Sequence, residues 1–352
     1  MIIGIDGNEA NVKNKVGVGY YAFNLLKALK KEDRKNEYWI YLKNKPLEDM
    51  PIESPSWKYI VMGPKKMWTR FALPLKLYTQ IKKPNIFISP SHYTPFFCPV
   101  PKIVSIMDLG YLDTPEQFTK KDFYQLKNWT EGSLKTSQHV ITISEFCKKD
   151  IVKRYKISPD KISILYPIVD NPPISIAKPK YKDYFLYIGT LKPSKNIPFL
   201  INAFKTYLDK NLKNRSKKLI IAGKKGWLYE DIFALVKKLH ISKNIIFTGY
   251  IDEKTKWSLL KYTSALIIPS LYEGFGIPVV EAMKTNTPVI SSNRGSLLEI
   301  NKDYGQIVDP EDENELIMAM EKVSKVSKKI PQKYTQKEII KQFQGIIKHV
   351  SR

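Results

Sequence analysis

The chain has 352 residues, 43% of them hydrophobic and 26% charged, the balance of a folded protein of about two domains. That balance excludes a disordered, collagen-like or coiled-coil chain, and no apolar run approaches the roughly 20 residues of a membrane-spanning helix. Net charge is +24, spread along the chain: 27 basic against 17 acidic residues up to Asp170, and 31 against 17 beyond it. Such a surface attracts nucleotide phosphates, acidic lipid headgroups or nucleic acid, although a Lys-rich composition alone assigns no function. Cys98 and Cys147 are too few for a disulfide framework or a structural zinc site. The N-terminus reads as a first strand and lacks the basic head of a signal peptide, so a cytoplasmic location is expected.

Short β-rich runs alternate with amphipathic stretches in two regions, the pattern of βαβ units and parallel sheets. In the first, strands are predicted at 2–6, 39–42, 58–61, 86–89, 103–107 and 140–144, with helices over 20–31 and 123–136. Ser144 adds a serine N-cap that opens a further helix. Residues 168–180 contain three prolines and no clear periodicity, which marks a linker. In the second region, strands are predicted at 184–188, 219–222, 245–248, 265–269, 288–291 and 306–308. Helices there are predicted over 197–209, 229–240, 253–262, 278–284 and 314–326. A last amphipathic helix, 335–349, follows Pro331 and is expected to cross back to the first domain. The predicted division is 1–170, 171–330 and 331–352. The predicted fold class is α/β, two Rossmann-like doubly wound domains facing a cleft, with ligands beyond the carboxyl ends of the strands.

The most informative loop is Pro269-Ser270-Leu271-Tyr272-Glu273-Gly274-Phe275-Gly276-Ile277-Pro278. Its glycines let the backbone approach a ligand, and Pro278 suits a first helical turn. The helix N-terminus adds partial positive charge for a phosphate. Glu273 and Glu281 enclose seven residues, and Glu281 is expected at the end of that first turn. A carboxylate beside an anion site has a natural role in accepting hydrogen bonds from sugar hydroxyls.

This Glu-x7-Glu stretch closely resembles family 4 of the glycosyltransferases, enzymes of GT-B fold. The resemblance continues in Tyr187-Ile188-Gly189-Thr190-Leu191-Lys192-Pro193-Ser194-Lys195-Asn196, Pro288-Val289-Ile290, Val308-Asp309-Pro310, Gly17-Val18-Gly19-Tyr20 and Pro115-Glu116. It implies that Glu273 binds donor-sugar hydroxyls, that the backbone of Gly274, Phe275 and Gly276 faces phosphates and sugar, and that Glu281 accepts the ribose hydroxyls. Lys195 would face the diphosphate near Gly189, in a loop where relatives commonly carry an adjacent Arg and this chain has Ser194; Lys192 could compensate. Gly17 and Gly19 would belong to a loop closing over diphosphate and acceptor. Asp108 occupies the Asp of a family His-Asp pair whose His is here Met107, and His92, after another strand, could also enter the cleft. Catalytic roles are thus expected for Glu273, Asp108 and Lys195.

The family reading implies a retaining, metal-independent transferase with no resident cofactor. Its donor would be a nucleotide-diphosphate sugar, GDP-mannose first and UDP-sugars next. Its acceptor would be a glycan or lipid-linked sugar in surface-polysaccharide synthesis, at the inner membrane face, with an anionic membrane surface as a further partner and no specific nucleic acid. The sequence lacks an Asp-x-Asp motif, a nucleophile elbow, a P-loop and any His/Cys cluster of metal spacing. A non-catalytic GT-B partner, a phosphorylase and a charge-driven nucleic-acid binder are the alternatives.

Overall fold

The computed structural model describes residues 1–15, 17–226, 228–324 and 330–351. The chain divides into two compact units, Met1–Ile168 with Gln332–Arg352, and Val169–Pro331. The first boundary lies two residues before the predicted one, and Pro331 belongs with the second unit. Part of the predicted linker is anchored to that second unit. Lys284 Nζ donates to Val169 O (2.7 Å) and Asn171 Oδ1 (2.8 Å), and Ser258 Oγ donates to Ala177 O (2.8 Å).

The first unit runs β1 (Ile2–Asp6), α1 (Val18–Glu32), β2 (Glu37–Leu42), β3 (Trp57–Val61), α2 (Ala72–Thr79), β4 (Ile86–Ser89), β5 (Lys102–Ile106), α3 (Lys120–Thr136), β6 (His139–Thr142), α4 (Glu145–Tyr155) and β7 (Ile162–Ile164). Its parallel sheet has the order β3-β2-β1-β4-β5-β6-β7. The central strands are buried along their whole length, as expected where helices cover both faces of a parallel sheet. The Ser144 hydroxyl caps α4 by accepting from Cys147 N at 3.1 Å. β7 lies at the sheet edge, three residues long and only part-buried, and so lacks the apolar run that revealed the others.

The second unit continues with β8 (Tyr184–Ile188), α5 (Ile197–Lys210), β9 (Lys218–Ala222), α6 (Glu230–Lys238), β10 (Ile245–Gly249), α7 (Glu253–Tyr262), β11 (Ala265–Ile268), α8 (Ile277–Lys284), β12 (Val289–Ser292), α9 (Leu297–Asn301), β13 (Gln306–Val308) and α10 (Glu313–Glu321). Its sheet is also parallel, ordered β10-β9-β8-β11-β12-β13. The predicted extension of α10 to 326 ends partly outside the described residues; the described helix stops at Glu321.

The chain then re-enters the first unit as α11 (Gln336–Val350). This helix buries Ile339, Ile340, Phe343 and Ile347, one stripe at helical spacing, and packs against α1. Gln336 Nε2 donates to Glu32 Oε1 at 3.0 Å, and the rings of Tyr334 and Tyr166 meet edge to face at 5.1 Å. In each sheet the strand order reverses once, between β1 and β4 and between β8 and β11. Those two crevices, at the carboxyl ends, are where doubly wound sheets hold ligands.

Candidate active site

In the second unit, the β8 and β11 loops meet at the reversal point. After β8 the chain makes a short turn over Pro193–Lys195, and Asn196 takes a left-handed conformation before α5. The Asn196 amide anchors the turn by donating to Pro310 O at 2.8 Å. Leu271 N donates to Ser194 O at 2.9 Å and so links the two loops. Lys195 Nζ thereby forms an ion pair with Glu273 Oε1 across 78 residues of sequence. Ser270 Oγ donates to the same carboxylate oxygen at 3.2 Å. Both members of the pair stay partly open to solvent, with side-chain exposures of 13% and 19%.

The glycines of this site have steric reasons. Gly276 is the N-cap of α8 at φ 93°, where a side chain is strained and a Cβ would meet Leu297 at 2.8 Å. Gly295 turns at φ 61° against the backbone of Glu273, with room for no Cβ: Glu273 O would lie 2.6 Å away. Ser296 then holds Glu273 O through its N–H (3.1 Å) and its hydroxyl (3.0 Å). Gly189 closes β8, its N–H donating to Ala222 O at 2.9 Å. Phe275 buries its ring, which fixes the loop between Gly274 and Gly276. Beneath them, burial and the Glu273 charge hold the Tyr187 hydroxyl well above its usual range.

Glu281 lies farther along than expected: it is the fifth residue of α8, past the first turn, and it is buried. Lys256 Nζ on α7 meets it at 2.5 Å and meets Glu253 at 2.7 Å. Burial pushes the Glu281 carboxyl up against the pull of Lys256. Burial opposes the Lys256 charge in turn, but the two carboxylates outweigh it and raise the ammonium. The sequence reading missed Lys256. Its only signal was the i,i+3 spacing with Glu253, which is common on exposed helices.

The other predicted residues lie in the first unit. Gly17 is the N-cap of α1 at φ 43°, and Gly19 is buried in that helix's first turn. Asp108 follows β5 and accepts from Gly110 N at 2.9 Å, while Met107 is buried. His92, after β4, presents a buried Nδ1 with no partner among the described residues, and its ring faces Tyr111 edge-on at 6.4 Å. Burial lowers the His92 pKa, and the Asp108 charge opposes that only in part. Asp6, at the end of β1, was also missed. Burial pushes its carboxyl up to about 6 although Asn8 donates to it twice, at 3.0 and 2.8 Å. Among the described residues no group of three His, Cys, Asp or Glu side chains is placed to hold a metal ion.

Comparison with known proteins bears on the family and the fold. Residues 16–171 match the family model described as Glycosyltransferase Family 4, and residues 170–339 match Glycosyl transferases group 1. The chain is 30% identical over 241 residues to O-antigen chain mannosyltransferase B of Escherichia coli, covering 65% of this chain and 62% of that protein. It is 29% identical over 224 residues to O-antigen chain mannosyltransferase RfbU of Salmonella typhimurium, covering 63% and 61%. The matched region thus spans under two thirds of these relatives. Among solved structures, sucrose-phosphate synthase from Thermosynechococcus elongatus superposes with a TM-score of 0.73 at 17% identity, covering 99% of this chain and 98% of that one. The Anabaena protein HepE, solved with UDP and glucose, gives a TM-score of 0.71 at 14% identity, covering 99% of each chain. At such identities these two bear on the fold alone.

Proposed function

From the premise that this chain belongs to family 4 of the glycosyltransferases and has their GT-B fold, we propose that it moves a sugar from a nucleotide-diphosphate sugar to a glycan or lipid-linked acceptor in surface-polysaccharide synthesis. Mannose from GDP-mannose is the first donor, supported by the two mannosyltransferase relatives. The observation that carries the reading is the Lys195–Glu273 pair at the carboxyl edge of β8 and β11, with Glu281 one helix turn beyond.

On this reading the donor separates a preformed pair. Its diphosphate takes the Lys195 ammonium, and its sugar hydroxyls donate to Glu273. The N-terminus of α8 adds positive potential beside the phosphates. Glu281 accepts the ribose hydroxyls, and Lys256 offsets part of the cost of burying that carboxylate's charge. As the sugar–phosphate bond breaks, charge grows on the leaving phosphate, and Lys195 stabilises it most where cleavage is furthest advanced. The leaving phosphate takes the proton of the attacking hydroxyl, which enters on the face it vacates, so the anomeric configuration is retained. No resident cofactor enters this scheme. The enzyme would act at the inner membrane face; among the described residues no helix is long and apolar enough to cross the membrane.

A thermal-shift series with GDP-, UDP- and ADP-sugars tests the proposal. The matching donor at a hundredfold excess over Kd stabilises the protein by about 2.7 kcal/mol. Product made from that donor should keep the anomeric configuration by NMR. Failure of every sugar nucleotide to raise Tm, with steeply salt-dependent nucleic-acid binding instead, would overturn it.

A further inference from the structure

We propose that Lys15 is a positioning residue for the acceptor side of the site: with Asn8 and Asn11 it laces the loop after β1 to the loop after β2. The proposal rests on the functional reading above in one respect, that the acceptor hydroxyl meets the carboxyl edge of the first sheet.

β1 and β2 pair in parallel, so the loops that follow them leave the sheet at the same carboxyl edge, and β1 borders the reversal point. Residues 7–15 and 43–50 form neither strand nor helix. A segment without a backbone ladder keeps one shape where other bonds fix it. Here those bonds run from three side chains of the first loop to the second. Asn8 Oδ1 accepts from Lys43 N at 2.9 Å. Asn11 Oδ1 accepts from Leu47 N at 2.8 Å, while its amide donates to Lys45 O at 2.9 Å. Lys15 Nζ meets Asp49 Oδ2 at 2.5 Å. The lacing begins at the sheet edge itself, because Asn8 also donates twice to Asp6.

Lys15 is the costly rung. Its side chain is 5% exposed, and an ammonium is buried at a loss unless it is paired. Besides meeting Asp49, it donates to Val12 O at 3.0 Å and lies 4.3 Å from the centre of the Phe23 ring. Carboxylate, carbonyl and ring face answer its three N–H groups, so this charge is used inside the protein and not on a phosphate. A Met would cover Phe23 without the cost of a buried charge. What the ammonium adds is direction, since it fixes the first loop against one point of the second. The same loop lies on the first turn of α1: a Cβ on Gly19 would meet Glu9 O at 3.1 Å. Held by Asp49, the loop is a fixed wall beside Asp6. Released, it holds an acceptor poorly, while a donor bound on the second unit is unaffected.

Hydrogen exchange of the full chain, read by mass spectrometry, tests the lacing without any ligand. Lys15→Met should speed exchange about tenfold in both 7–15 and 43–49 and leave β1 and β2 as in wild type. Kinetics test the positioning role, with a donor taken from the thermal-shift series, GDP-mannose first, and a panel of octyl glycosides as acceptors. On a glycoside that wild type uses, Lys15→Met and Asp49→Ala should each raise the acceptor KM about tenfold and change the donor KM by less than about twofold. The double variant should lose no more than the worse single one. Lys15→Arg, which keeps the charge and can grip a carboxylate, should stay within about threefold of wild type.

Exchange that is unchanged, or faster in the first loop alone, would overturn the lacing. A lower Tm with an unchanged acceptor KM would make Lys15 a matter of stability, and equal rises in both KM values would remove its link to the acceptor. Thermal shifts with sugar nucleotides, read on the same samples, separate the two claims. A donor shift in wild type and Lys15→Met alike, with the acceptor KM unmoved, removes the positioning role and leaves the transferase reading intact. A wild type that shows no donor shift, or that uses no glycoside, removes that reading and the positioning role with it.

Discussion

At the carboxyl edge of the second sheet the ionisable groups come as pairs, Lys195 with Glu273 and Lys256 with Glu281. At the matching edge of the first sheet, Asp6 and His92 are buried without an ion-pair partner among the described residues. On the proposed function, the difference matches what each edge would hold. Paired charges are already desolvated and oriented, so a donor that brings its own anion and hydroxyls exchanges one set of strong contacts for another. Burial pushes Glu281 up as it does Asp6, but Glu281 has an ion-pair partner to offset part of that shift, and Asp6 and His92 have none among the described residues. On the proposed function, an edge with no built-in ion pair suits a hydroxyl acceptor, which brings no charge of its own.

The largest test of the contrast is Lys195→Ala. Losing one preorganised cation at the leaving phosphate should lower kcat at least about a hundredfold at saturating donor. Equal, small losses for Lys195→Ala and Lys192→Ala would mean that backbone groups hold the diphosphate and that pairing with Glu273 is structural. Next comes Lys256→Ala, which leaves Glu281 buried and uncompensated. Breaking a buried pair costs about 3–5 kcal/mol, and the partial exposure of Lys256 argues for the lower end, about 3 kcal/mol by urea unfolding at pH 7. Glu281→Ala should weaken binding of free nucleotide, and an unchanged Kd would refute its ribose role.

Smaller effects probe the unpaired edge. The Asp6 carboxyl is raised from 3.8 to about 6, so the folded state holds its proton where the unfolded chain has lost it. Stability should therefore fall as pH rises from about 4 to 6, by about 2 kcal/mol, and Asp6→Asn should remove that slope. Melts of both proteins across that range decide it; parallel curves would show that Asp6 does not titrate there. Smallest is His92→Gln. With Met107 in the place of the family imidazole, His92 is the nearby ring that could orient an acceptor, and its loss should lower kcat about tenfold with little change in donor affinity. An unchanged kcat would make the first edge a matter of packing alone.

The alternation of buried strands and amphipathic helices was legible because parallel sheets covered on both faces demand apolar runs, as in Tyr184–Ile188 and Ala265–Ile268. The loop into α8 was legible because a tight turn into a helix restricts residue type, as Gly276 and Pro278 show. Lys256 was not, since its partner lies 25 residues away on another helix and any Lys in so basic a chain looks solvated. Asp6 was hidden for a similar reason. A carboxylate ending a strand is ordinary, and only the packing around it reveals that it has lost its water. Nor could periodicity reveal α2, whose apolar residues lie on both faces.

The return of α11 to the first unit has a consequence for how the protein is made. Ile339, Phe343 and Ile347 complete the packing around α1, yet they emerge from the ribosome after the whole second unit. During synthesis the first sheet must wait with part of its apolar surface uncovered, while the second unit, continuous in sequence, can close as soon as it appears. A chain cut near Pro331 would keep every proposed donor-binding residue and still lose the cover of its oldest helix. Such a fragment should aggregate or call on chaperones, and adding back the 332–350 peptide should rescue it.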